Sequence, residues 1–63
     1  EGVLAALSDR QREAVEVALA VGYYETPRQA TSEDVAEVLD CAPSTASKHL
    51  RRAESRLLQR LLG

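Results

Sequence analysis

Three residues, Asp40, Cys41 and Ala42, separate a helix that has to stop from one that has to start, and this spacing restricts the fold more than any other feature. The first of the two helices ends at Leu39. Asp40 stands where the turn needs a positive φ; glycine is commonest there, and aspartate tolerates the left-handed region at moderate cost. Cys41 suits an apolar slot under the following helix as a small hydrophobe. Pro43 opens that helix at a position where no backbone donor is lost. Ala36, with only a methyl group, allows the two helices to cross steeply and closely. The pattern is a helix-turn-helix over residues 32–53.

The second helix of the pair has two faces. Ala46, Leu50, Ala53 and Leu57 recur at helical spacing and read as its buried side. Ser44, Ser47, Lys48 and Arg51 fall on the opposite side. A face of hydroxyls and cations on a helix held at a steep angle by its predecessor fits the major groove of DNA. His49 lies between the faces and reads as a packing or phosphate-contacting residue. Neither it nor Ser44, Thr45 or Ser47 has the spaced partners that nucleophilic or acid–base chemistry needs, so the chain reads as a binding module and not an enzyme.

Net charge of −2 hides a division along the chain. Residues 1–40 carry nine acids against Arg10, Arg12 and Arg28, a net −6. Residues 41–63 carry Lys48, Arg51, Arg52, Arg56 and Arg60 against Glu54 alone, a net +4. The positive field therefore falls on and after the second helix, where a phosphate backbone would lie.

The remainder is helical. Ser8 and Gln11 form a Ser-x-x-Gln capping box for a helix over 9–21, with Ala14, Val15, Ala18, Leu19 and Val21 as its apolar face and Gly22 as its stop. Residues 23–31 form a loop containing Pro27. Thr31, with Asp34, caps the next helix, whose buried side reads as Val35, Ala36, Val38 and Leu39. The expected fold is all-α: a small three- to four-helix helix-turn-helix domain over 8–63 with an extended C-terminal helix, preceded by a linker or N-terminal extension over 1–7. With one cysteine and one histidine, neither a disulfide nor a structural zinc site can be built within a chain of 63 residues, and no cofactor is expected. No stretch reaches the ~18 apolar residues of a membrane span. A chain starting at Glu1 without methionine reads as a piece of a longer cytoplasmic protein.

The residues LSDRQREA (7–14), GYYETPR (22–28) and STASKHLRRAESRLL (44–58) resemble the bacterio-opsin-activator-type (Bat-like) helix-turn-helix domain of haloarchaeal transcription regulators. The opening and closing segments also look like LuxR and sigma-factor region 4 domains, which have a much shorter connection between their first two helices. The resemblance implies a transcription regulator that binds double-stranded DNA and carries sensory domains upstream. It implies that Pro43, Ser44, Ser47, Lys48 and Arg51 face the groove, with Arg51 or Lys48 on a guanine; the planar fork of arginine suits O6 and N7 together. Thr45 and Ser47 would reach a base edge or a phosphate, and Arg52 and Arg28 would position the backbone. Two departures stand out: Asp40 replaces the usual glycine, and Ala42 replaces a capping serine, which weakens the helix start by about 1 kcal/mol. The acidic first half suits a high-salt cytoplasm.

Two features bear on partners. Tyr24 is expected to fill the gap between the first helix and the recognition helix, since the chain has no Phe, Trp or Met. Leu57, Leu58, Leu61 and Leu62 exceed what one terminal stripe can bury and suggest a homodimer interface. The alternative function is a protein-interaction or dimerisation module in which the basic helix is merely a solvated face.

Overall fold

A computed structural model describes residues 2–63, leaving the side chain of Val3 undescribed; Glu1, the first residue of the expected extension, lies outside the described residues. Three α-helices follow a 3-10 turn at Val3–Ala6: α1 (Asp9–Val21), α2 (Ser32–Leu39) and α3 (Pro43–Leu62). The all-helical class and the long terminal helix are as the sequence predicts. At 1.5 Å per residue, α3 runs about 30 Å, the longest dimension of the molecule at 30 × 24 × 18 Å. Among the described residues, no helix is long and apolar enough to cross a membrane.

Local chemistry sets the helix ends. Ser8 Oγ accepts the Gln11 amide at 3.2 Å, while Gln11 Oε1 accepts the Ser8 amide at 3.2 Å. Thr31 and Asp34 repeat the exchange at α2, at 3.4 and 2.8 Å. Gly22 terminates α1 at φ 91°, and the Tyr23 amide bonds back to the Ala18 carbonyl at 2.9 Å. A Cβ on Gly22 would meet the Gln29 Cβ at 2.7 Å, so this position excludes side chains by contact as well as by torsion. The Gly22 carbonyl then accepts both the Glu25 and Gln29 amides, tying down the loop.

The core is small and alanine-rich. Ala14, Val15 and Ala18 of α1, Val35 and Ala36 of α2, and Ala46, Leu50 and Ala53 of α3 are buried, together with Leu7 and Ala30. Leu57, Leu39, Cys41, Val17 and Val21 pack partly buried against this cluster. Leu7 and Leu4, ahead of α1, join it as well, and the 3-10 turn lies against α3.

Two expected core residues are corrected. Leu19 is 57% exposed and Val38 60%. Each sits one residue, about 100° of helix rotation, from a neighbour that does face inward (Ala18 and Leu39), which carries it round to the flank.

Leu50 and Val35 are the largest side chains that are fully buried. Leu50→Ala should therefore cost about 2–5 kcal/mol, a large share of what a domain this size possesses, whereas Leu19→Ala should stay within about 0.5 kcal/mol. Urea unfolding followed by helix circular dichroism separates them; equal losses would contradict the core assignment.

Candidate functional site

The turn between α2 and α3 fixes how α3 is presented. Asp40 adopts φ 58°, ψ 51°, the left-handed conformation expected of it. Its amide bonds to the Glu37 carbonyl at 3.3 Å, and the Cys41 amide to that of Ala36 at 3.0 Å, the paired bonds of a Schellman ending. Ala42 then takes the N-cap position in extended geometry with no side-chain cap bond, and Pro43 opens the helix. Cys41 is half-buried with a free thiol.

With Ala46, Leu50 and Ala53 buried, the opposite side of α3 is turned out. Ser44, Ser47, Lys48, Arg51 and Arg52 together line a shallow concavity of about 340 Å³. Of the eight residues expected to touch nucleic acid, these five come together. Pro43 and Thr45 are exposed on the same first turn but outside the concavity. Arg28 is also outside it: its guanidinium lies 4.4 Å from the centre of the Tyr23 ring, a cation–π contact. His49 is half-buried between the faces.

The cations divide by partner. Arg10 pairs with Glu13 at 3.5 Å and Arg12 with Glu16 at 3.2 Å on the surface of α1. Among the described residues, Lys48, Arg51, Arg52, Arg56 and Arg60 have no carboxylate within 4 Å. A solvated face neutralised by acids does not describe α3.

Glu54, the one acid of α3, is engaged elsewhere. Its Oε2 accepts the Tyr24 hydroxyl at 2.6 Å. This contact joins positions 30 residues apart and docks the loop on α3. Tyr23 packs edge-on against Tyr24, ring centres 5.0 Å apart. Tyr24 does lie between α1 and α3, but it is more than one-third exposed and is held by its hydroxyl; Tyr23 is the ring that packs on the core. Burial, then the hydrogen bond to Glu54, pushes the Tyr24 phenol well above its ordinary value.

The terminal leucines split. Leu57 packs on the core, whereas Leu58, Leu61 and Leu62 are 56%, 63% and 85% exposed. Leu57, Leu58 and Leu61 line an open apolar groove of about 470 Å³, closed on its α1 side by Val15 and Leu19.

Comparison with known proteins places the chain in a family. The family described as HTH DNA binding domain matches residues 7–59. The transcriptional regulator NarO of Haloferax volcanii is 46% identical over 56 residues, covering 89% of this chain and 26% of that protein. The dimethyl sulfoxide reductase transcriptional activator of Halobacterium salinarum is 47% identical over 51 residues, 81% of this chain and 23% of its own length. The bacterioopsin transcriptional activator of the same organism is 42% identical over 52 residues, 82% of this chain and 8% of its own. The likeness to the bacterio-opsin-activator type is thus borne out. The chain spans between 8 and 26% of the length of the curated relatives it matches. No solved structure matches it.

The phenol–carboxylate contact has a testable pH signature. A folded-state pKa raised above the unfolded value of about 10 stabilises the protonated phenol; that stability is fully present below pH 10 and is lost as pH climbs toward the raised value. Tyr24→Phe should cost about 1 kcal/mol at neutral pH and should flatten the alkaline fall in thermal midpoint above pH 10. Parallel alkaline curves for the two proteins would contradict the contact.

Proposed function

The chain belongs to the helix-turn-helix DNA-binding domain family, and we propose that it serves as the DNA-reading module of a longer transcription regulator, with α3 as the helix that enters the major groove. The observation that carries this reading is the convergence of Ser44, Ser47, Lys48, Arg51 and Arg52 on one surface without an acid among them. A helix about 10–12 Å across fits a groove about 12 Å wide. Arg51 is the guanine reader, its fork spanning O6 and N7, and Lys48 reaches a second guanine or a phosphate. Ser44, Ser47 and Thr45 donate to base edges or phosphates. Pro43 brings the start of the helix close to the duplex, and Arg52 and Arg28 hold the backbone. The names of the relatives, all regulators or activators of transcription, support this reading.

The rest of the regulator is proposed on the same footing. Its longer relatives leave room for upstream sensory domains, and the module acts by binding, in the cytoplasm, and not by catalysis. Leu58, Leu61 and Leu62, with Leu57 beneath them, form a homodimer interface; a two-fold pair would set two copies of α3 one DNA turn, about 34–36 Å, apart.

Two substitutions test these statements. On a duplex selected from a random pool, Arg51→Ala should lose about 1–3 kcal/mol of affinity and relax the preference at one base pair; an unchanged binding curve would leave only an interaction module. Leu61→Lys should abolish self-association in sedimentation while the helix content persists. Loss of the fold instead would make Leu61 a core residue.

A further inference from the structure

The base-reading concavity continues into a second one. Gln11, Arg52, Ser55, Arg56 and Gln59 line a depression of about 360 Å³ between the N-terminal part of α1 and the middle of α3. Arg52 borders both depressions, so they form one continuous surface. Every side chain lining the second is polar, two are guanidinium groups, and none is acidic. Glu54 lines neither, being held to Tyr24.

We infer that Arg52, Arg56, Gln11 and Gln59 form a DNA phosphate site that seats the duplex backbone beside the groove occupied by the start of α3. The inference rests on the reading of α3 as the groove-entering helix. Arg52 lies eight residues beyond Ser44, about 12 Å along the axis at 1.5 Å per residue, past the residues read as reaching base edges. Side chains from Arg52 onward therefore stand over the phosphate ridge. Arg52 and Arg56 are four residues apart on one helix, where like charges repel. Neither has a carboxylate within 4 Å among the described residues, so an anion between them relieves the repulsion.

The neutral partners supply donors. Gln11 Oε1 is occupied by the Ser8 amide, which orients the side chain and leaves its Nε2 group, without a partner among the described residues, to donate. Gln59 Nε2 makes only a long 3.5 Å contact to Ser55 Oγ, readily exchanged for a phosphate oxygen. Two guanidinium forks with two amide donors match the oxygens of a phosphodiester. The depression holds no aromatic ring to stack on a base and no carboxylate to accept from one.

The test measures binding of the whole chain to a selected duplex and to its shuffled counterpart between 50 and 200 mM salt. Arg56→Gln should weaken both duplexes by the same factor and make the slope of log K against log salt shallower by about 0.9, so that the wild-type advantage shrinks about 3.5-fold across that range. Gln59→Ala should weaken both duplexes with the slope unaltered, and offers a second probe should Arg56→Gln lose helix content. Identical affinity and slope for Arg56→Gln would overturn the phosphate site alone. A wild-type chain that binds neither duplex would overturn the groove-reading helix, and the phosphate site with it. Inorganic phosphate at matched ionic strength should not compete; selective competition that disappears in Arg56→Gln would reassign the depression to free phosphate.

Discussion

The close approach of three helices through alanine is the constraint on which the rest of this domain depends. Ala14 and Ala18 of α1, Ala36 of α2, and Ala46 and Ala53 of α3 meet around Leu50 and Val35. Methyl groups leave the helix backbones little freedom to slide apart, because the attraction falls away within a fraction of an ångström of contact. With Ala46, Leu50 and Ala53 fixed inward, the direction of every other α3 side chain follows from helical periodicity. The exposure of Ser44, Lys48, Arg51 and Arg52 is in this sense a product of the alanines on the far side.

Charge is arranged to the same end. Four acids of the first half are used locally: Glu13 and Glu16 pair with arginines of α1, Asp34 closes the capping box of α2, and Glu33 joins it in that first turn. The first turn of α3 holds no acid. Its positive dipole end therefore adds to the field of Lys48 and Arg51 and is not cancelled by it. The single acid further along α3 is turned to a tyrosine hydroxyl. A chain of net negative charge thereby presents a surface free of carboxylates on one helix.

What was legible in the sequence was mostly local. Both capping boxes, the left-handed Gly22 and Asp40, and the proline start of α3 depend on residues within a few positions of one another, and each is found as read. The two faces of α3 were legible because its buried stripe is regular over Ala46–Leu57. Periodicity fails at the flanks, where one residue's difference turns Leu19 and Val38 outward although both are as apolar as the residues beside them. The Tyr24–Glu54 contact was beyond reach, since no local pattern links positions so far apart. The packing of Leu4 and Leu7, in a stretch too short for periodicity, was legible only through the surplus of leucines on α3 that needs apolar cover.

The alanine core also governs how the domain responds to temperature. Heat capacity on unfolding scales with the apolar surface newly exposed to water, and a methyl group exposes far less than an isobutyl group. Helices joined through alanine therefore unfold with a small heat-capacity change for their length. The curve of stability against temperature is correspondingly shallow, since its curvature is set by that quantity. The polar face of α3 thus rests on a scaffold whose stability changes only gradually with temperature on either side of its maximum.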